Sequence, residues 1–357
     1  MKRALQLTFF ISIFIVIYFG MHYYVISQYF YLLGISQGIW FYLTLLVLSS
    51  SFIVGMVLER KIPNFLTRWI YLLASVWMGV LFISLWTFAI YDLASLFLSS
   101  YMFFIRYYIL AFILIVSMYA LWNGQQIKVK KIKVYMPGLK KRIQAVQLTD
   151  LHIGTIRSSS FLKKVVSITN ALKPDMIFIT GDLFDGSAPL TKEIIAPINK
   201  LKSKTFFTIG NHEIYDGLEG VIKILKTTKL KVLRNMKTDY KGIEIIGVDF
   251  SENKKYLGDI LPKLNLVGKK PRLLMYHPPA NLDYINDYNI SLQLSGHTHA
   301  GQIFPFNLFV RLAFPYVSGF YKKEEAQIYV SPGTGTWGPP MRLGSRSEIT
   351  FIELLPK

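Results

Sequence analysis

Four long apolar stretches near the start of the chain constrain its fold more than any other feature. They contain no charged side chain and cover residues 4–26, 39–58, 69–90 and 107–122. An α-helix rises about 1.5 Å per residue, so about 20 apolar residues cross the hydrocarbon core of a bilayer. The buried helices of a large soluble protein are the alternative, but they rarely lack a polar face four times in succession. Residues 1–123 are therefore predicted to form an α-helical transmembrane domain with four helices.

The Lys and Arg residues flank alternate ends of these stretches. Lys2 and Arg3 precede the first, three follow the second within residues 60–68, and four follow the last within residues 128–133, whereas residues 28–38 contain none. Short loops rich in Lys and Arg stay on the cytoplasmic side of a membrane. Both ends of the transmembrane domain are therefore predicted to be cytoplasmic.

The remainder of the chain has a different composition. Residues 124–357 hold 34 Lys and Arg against 19 Asp and Glu, and the chain contains no cysteine. Disulfides and thiolate metal sites are therefore excluded, so any metal ligand must be His, Asp, Glu or Asn. We predict a basic linker over residues 124–142 and a second domain over residues 143–357.

The second domain alternates short β-prone runs with amphipathic helical segments, which is typical of an α/β fold. Five runs, at residues 142–148, 175–180, 204–209, 272–276 and 291–294, are each followed by polar residues. These loops read Asp150-Leu151-His152, Gly181-Asp182-Leu183-Phe184-Asp185-Gly186, Gly210-Asn211-His212-Glu213, His277-Pro278-Pro279 and Gly296-His297-Thr298-His299. Open α/β sheets build their sites at the C-terminal ends of strands, so the five loops are predicted to converge.

Five of the six histidines lie in these loops. Each fragment alone is a weak signal, because Asp and Asn are ordinary residues in turns after strands. Their order and strand context together form a strong one. The five segments resemble the signature blocks of the calcineurin-like metallophosphoesterases over residues 143–355. That resemblance implies a four-layer αββα sandwich.

The resemblance is strongest to a membrane-associated bacterial branch that includes UDP-2,3-diacylglucosamine pyrophosphatases. Its last block usually reads GHTHGGQ, and here Ala300 replaces one glycine. This change affects loop geometry more than chemistry. The branch also implies a bacterial inner-membrane protein, and the distribution of Lys and Arg predicts that its phosphoesterase domain is cytoplasmic.

The resemblance implies two divalent metal ions and their ligands. One ion would be held by Asp150, His152, Asp182 and His299, and the second by Asp182, Asn211, His277 and His297. Carboxylate, amide and imidazole ligands suit Mn, which we expect, and also Fe or Zn. A hydroxide bridging the two ions would attack the phosphorus, since two such cations clamp a phosphate and activate water.

Two further residues match catalytic positions of the family. His212 would protonate or stabilise the departing oxygen, and Asp185 would orient His212. Glu213 is either a residue behind the ligands or a solvated loop acid. Arg342, in a glycine-rich segment, either contacts substrate phosphate or has a structural role.

The predicted reaction is hydrolysis of a phosphodiester or pyrophosphate bond in a lipid-linked or amphiphilic substrate. Its support is the membrane domain, the basic surplus and the apolar segment 303–321, which either forms a hydrophobic lip or packs on the core. A soluble phosphoester, such as a cyclic nucleotide or phosphoprotein, is one alternative, and a non-catalytic membrane scaffold is another. Membrane lipids are expected partners. Nucleic acid is not, because no recognised binding module is present.

Overall fold

The structure is a computed structural model, and it describes residues 2–97, 99–268, 270–279 and 282–357. The chain divides into two compact units. The first, called the membrane unit, comprises Met1–Trp122 and Gly338–Met341. The second, called the phosphoesterase unit, comprises Asn123–Trp337 and Arg342–Lys357.

The membrane unit is built from long helices. These are α1 (Lys2–Leu33), α2 (Ile39–Lys61), α3 (Phe65–Ser95) and α4 (Ser99–Gly124), the last of which continues into the phosphoesterase unit. All four contain a segment that is long and apolar enough to cross a membrane, by length and composition. The four predicted helices are thus confirmed, and each extends beyond its uncharged stretch.

Polar contacts inside the membrane unit accompany its apolar packing. The Tyr24 hydroxyl donates to Asp92 Oδ2 at 2.5 Å, and the Gln28 amide donates to the same oxygen at 2.7 Å. Ionisable side chains in such helices are usually paired, because an isolated charge there is costly. These bonds join α1 to the C-terminal part of α3.

The phosphoesterase unit contains twelve strands and seven α-helices in the described part of the chain. The strands are β1 (Ile127–Met136), β2 (Ile143–Leu148), β3 (Met176–Thr180), β4 (Lys204–Thr208), β5 (Lys231–Val232), β6 (Met236–Tyr240), β7 (Ile243–Val248), β8 (Arg272–Tyr276), β9 (Leu292–Ser295), β10 (Gly319–Lys323), β11 (Ala326–Val330) and β12 (Ser347–Pro356). The helices are α5 (Ser159–Ala171), α6 (Lys192–Ile195), α7 (Asn211–Tyr215), α8 (Leu218–Leu225), α9 (Tyr256–Ile260), α10 (Leu282–Asp287) and α11 (Phe306–Ala313).

The strands form two six-stranded sheets, and the predicted αββα sandwich is confirmed. One sheet has the order β1-β12-β2-β3-β4-β5, and the other has the order β10-β11-β9-β8-β7-β6. Alternate residues of each strand face opposite sides, as the pleat requires. Met176 and Phe178 of β3 pack between the sheets, whereas Ile177 and Ile179 pack under α5 and its neighbours. A third cluster joins the second sheet to α9 and α10.

The predicted linker over residues 124–142 is corrected by this structure. Most of it is strand β1, which pairs in parallel with β12 from Ile127 opposite Ser347 to Met136 opposite Pro356. Val134 and Met136 are buried, while the lysines of the strand are exposed. The segment is therefore an edge strand with solvated lysines on both of its faces, and these lysines obscured the alternation in the sequence.

Candidate functional site

The site lies where parallel strands of both sheets end. β2, β3 and β4 are parallel neighbours in one sheet, and β8 and β9 are parallel neighbours in the other. The loops that follow these strands carry all seven predicted metal ligands, and side-chain contacts bring the seven into one cluster. By loop, the seven are Asp150 and His152 after β2, Asp182 after β3, Asn211 after β4, His277 after β8, and His297 and His299 after β9.

One part of the cluster is formed by Asp150, His152 and His299. His299 Nε2 lies 3.3 Å from Asp150 Oδ1, and His152 Nε2 lies 3.0 Å from His299 Nε2. One potential ligand atom from each residue lies within 4.8 Å of the others, so the three could hold a metal ion.

A second part of the cluster surrounds Asp182. His277 Nε2 lies 3.1 Å from Asp182 Oδ2, and His297 Nδ1 lies 2.8 Å from Asn211 Oδ1. Asp182, His277 and His297 could hold a metal ion by the same criterion. Asp182 Oδ2 is also 3.8 Å from His152 Nε2, so this carboxylate lies between the two parts, as a bridging ligand would.

The contacts inside the cluster fit metal ligation. His277 Nε2 is buried and lies 3.1 Å from Asp182 Oδ2 without hydrogen-bond geometry, and the Nε2 atoms of His152 and His299 face each other beside the carboxylates of Asp150 and Asp182. Buried polar atoms are normally satisfied, so such atoms require an explanation. A set of imidazole, carboxylate and amide ligands suits Mn, Fe or Zn.

The electrostatics of the cluster favour ionised carboxylates. Burial opposes ionisation, but His299 beside Asp150 and His277 beside Asp182 hold the pKa of both carboxyls well below the usual range. Burial lowers the pKa of His277, yet Asp182 and Asp150 outweigh it and raise the value to about 10. Burial and the proximity of His277 lower the pKa of His297 to about 4. The cluster thus presents anionic oxygens to a cation.

Strained backbone also concentrates at this site. Residues other than glycine rarely adopt positive φ, and such conformations gather at functional sites. Here they include Asp150 (50°), His152 (46°), Asp182 (52°), His297 (74°), His299 (49°) and Ala300 (50°). The value at Ala300 explains why glycine is usual at that position, since glycine adopts this conformation without strain.

Glu213 supports two of the ligand loops from behind. Its side chain is fully buried and accepts hydrogen bonds from the main-chain N–H groups of Gly210 at 2.7 Å, Leu183 at 2.8 Å and Asp182 at 3.0 Å. Burial and the nearby charge of Asp182 raise its pKa to about 7. Of the two alternatives for Glu213, the buried position behind the ligands is the one observed.

Arg342 is fully buried beneath the His299 loop. Its guanidinium donates to the carbonyl oxygens of Pro332 at 2.7 Å, Gly335 at 2.8 Å and His299 at 3.2 Å. Because backbone carbonyls occupy these donors, the geometry supports the structural alternative rather than contact with substrate.

His212 lies beside the cluster and is half-buried. Its ring centroid is 4.6 Å from that of His152, and its main-chain N–H donates to Asp182 Oδ1 at 3.0 Å. The hydrogen bonds described for the Asp185 carboxylate come from the N–H and hydroxyl of Ser187, at 2.8 and 2.7 Å. The structure therefore brings His212 to the site and shows no bond to it from Asp185 among the described contacts.

Two aromatic residues at the site were not singled out from the sequence. The ring of Trp337 lies 5.8 Å from that of His212, and the ring of Phe314 lies 5.3 Å from that of His297. Trp337 is 56% exposed, so it presents an aromatic face to solvent beside the cluster. In the sequence, Trp337 stands alone as a large side chain in the glycine- and proline-rich residues 333–340, and this position could have indicated that it lies at the site.

Comparison with known proteins agrees with this fold and site. Residues 143–301 match the profile of the family described as calcineurin-like phosphoesterase. The chain is 40% identical over 240 residues to an uncharacterized metallophosphoesterase of Helicobacter pylori, covering 64% of each chain. It is 34% identical over 267 residues to a Danio rerio transmembrane protein with metallophosphoesterase domain, covering 67% of this chain and 60% of that one.

The match to a third relative covers a larger share of that relative's length. The chain is 32% identical over 232 residues to the uncharacterized metallophosphoesterase YkuE of Bacillus subtilis, covering 58% of this chain and 78% of the relative. The chain belongs to the calcineurin-like metallophosphoesterase family, and it spans 64% of the length of its Helicobacter relative.

Proposed function

We propose that this chain is a membrane-anchored, metal-dependent phosphohydrolase that cleaves a phosphodiester or pyrophosphate bond. The observation that carries this proposal is the convergence of the seven predicted ligands from five loops of two sheets. A structural role for these side chains would not require buried imidazoles and carboxylates to face one another. Polar groups buried in that way are costly unless something satisfies them.

The seven residues would hold two divalent cations, for which Mn is our first choice. Asp150, His152 and His299 would bind one, Asn211, His277 and His297 the other, and Asp182 both. When bound, such a pair of cations activates water and neutralises charge on the phosphate. Glu213 and Arg342 fix the loops that carry Asp182 and His299, so they would maintain the spacing of the ligands.

His212 would assist the departing oxygen. It belongs to the same short helix as Asn211, and its main-chain bond to Asp182 anchors it to the cluster. Burial lowers the pKa of its imidazole. The carboxylate of Asp185 accepts hydrogen bonds from Ser187. Asp185 would therefore influence His212 only indirectly.

An amphiphilic, lipid-linked substrate fits this molecule best. The chain has four candidate membrane spans, and the part outside them carries the basic surplus that anionic lipids attract. The Danio rerio relative is also described as a transmembrane protein with metallophosphoesterase domain. We propose that the protein resides in a bacterial inner membrane with its phosphoesterase unit on the cytoplasmic side.

A substrate screen on the purified full chain in detergent tests this proposal. Rates with Mn²⁺ would be compared for a soluble diester, a soluble monoester and a lipid-linked pyrophosphate, with Asp182→Asn as the inactive control. The proposal predicts metal-dependent hydrolysis, with the lipid-linked pyrophosphate preferred. Preference for the soluble diester or monoester would support the soluble-substrate alternative, and no hydrolysis at all would support the scaffold.

A further inference from the structure

Helix α11 exposes an unusual amount of apolar surface. Leu308 is 53% exposed, Phe309 is 42% exposed and Leu312 is 85% exposed, and at 3.6 residues per turn they share one side of the helix. We call these three residues the apolar face of α11. Val310 is the residue of this helix that is buried. A contiguous exposed apolar patch of this kind marks an interaction site.

A different side of the same helix faces a cavity beside the cluster of predicted metal ligands. The cavity has a volume of about 360 Å³, and its walls include Asn307, Arg311 and Phe314. The ring of Phe314 is 5.3 Å from that of His297, so the cavity adjoins the predicted ligands. The cavity and the apolar face therefore lie on different sides of helix α11.

Charge indicates which partner the apolar face fits. From Ile303 to Tyr321, Arg311 is the single Lys, Arg, Asp or Glu. On the helix it lies at the border between the apolar face and the cavity. A helix that combines apolar side chains with a cation at their border is suited to the interface of an anionic bilayer.

We infer that the apolar face of α11 inserts into the interfacial layer of the bilayer, with Arg311 at the level of the lipid phosphates. The four candidate spans keep a bilayer within reach of the chain at all times. The inference deepens the proposed function, on which it rests for the substrate: a lipid headgroup could enter the cavity while its acyl chains stay beside α11.

The absence of cysteine from the chain permits a direct test. Leu312→Cys would be labelled with bimane in the full chain and reconstituted into nanodiscs containing phosphatidylglycerol. The matched control is Val267→Cys, since Val267 is also apolar and is 68% exposed outside α11. Lipids with a spin label near the headgroup should quench the Leu312 label at least about twofold more than the control label. Leu308→Cys should behave like Leu312→Cys.

Three results would overturn the inference. The first is quenching of the Leu312 label by aqueous iodide but not by spin-labelled lipid. The second is protection from both quenchers, which would show that a second copy of the chain covers the face. The third is equal lipid quenching at both positions. None of these readouts requires turnover, so a failure here leaves the hydrolysis screen unaffected, and an inactive protein leaves this test intact.

Discussion

Asn211 and His212 are adjacent in sequence but contact different parts of the site. The side-chain oxygen of Asn211 lies 2.8 Å from His297 Nδ1 inside the ligand cluster. The imidazole of His212 instead lies between the rings of His152 and Trp337, at 4.6 and 5.8 Å. The same helical turn thus presents one side chain suited to ligation and one suited to proton transfer.

Substituting these two residues should separate metal binding from acid catalysis. Asn211→Ala should lower metal content as well as rate, because a ligand oxygen is lost. His212→Ala should keep its metal and slow hydrolysis of an alkyl diester by about 10² to 10⁴-fold, as for a lost general acid. A nitrophenyl diester should be affected far less, since its leaving group departs without a proton.

Elemental analysis and rates on both substrates provide the measurement. Loss of metal from His212→Ala equal to that from Asn211→Ala would refute the assigned role. Equal slowing of both leaving groups would refute it as well.

Glu213 provides a second test at the residue scale. Removing its carboxylate leaves three buried main-chain N–H groups without their acceptor. Glu213→Ala should therefore lower the free energy of unfolding by about 3 kcal/mol. Glu219→Ala is the control, because Glu219 is exposed. Equal thermal unfolding midpoints for the two variants would show that Glu213 does not support the loops.

At the scale of elements, the strands and the polar loops after them could be predicted from the sequence for a physical reason. Buried parallel strands are nearly continuous apolar runs, and the polar residues after β2, β3, β4, β8 and β9 stand out against them. Strand β1 was missed because it is an edge strand whose lysines face solvent. The hydrogen bonds by which Glu213 and Arg342 hold the ligand loops could not be predicted from the sequence either. Their burial and their main-chain partners depend on how loops that are distant in sequence meet in the fold.

The apolar segment around α11 could not be assigned from sequence because a core segment and a lip have the same composition. Phe306 and Phe309 are 49% and 42% exposed, which favours the lip. Replacing both with Ser should raise KM for a lipid-linked substrate and leave a small soluble diester unchanged, because acyl contacts contribute only when an acyl chain is present.

Val267→Ser is the control for this segment, since Val267 is apolar and 68% exposed but lies outside residues 303–321. Steady-state kinetics on both substrates would give the comparison. Equal losses on the two substrates in the double variant would favour a packing role for the segment.

At the scale of the whole molecule, the membrane topology of the chain can be tested. The charge distribution predicts that the loop between α1 and α2 and the phosphoesterase unit lie on opposite faces. Ser36→Cys and Lys254→Cys report on these two regions, and both positions are exposed. An impermeant thiol reagent should label Ser36→Cys in intact cells and Lys254→Cys only after permeabilisation. The reverse pattern would invert the predicted orientation.

Two metal ions held by the seven ligands are proposed to carry out phosphoester hydrolysis. The most direct test is to strip the full chain with a chelator, restore Mn²⁺ stepwise, and record bound metal and the hydrolysis rate of a nitrophenyl diester together. No hydrolysis is expected from the stripped protein, and the rate should be maximal at about two Mn²⁺ per chain. Asp182→Asn should fail to reach either value. Full activity in the stripped protein, or full metal loading without hydrolysis of the diester, would show that metal ions held by these ligands do not carry out the reaction.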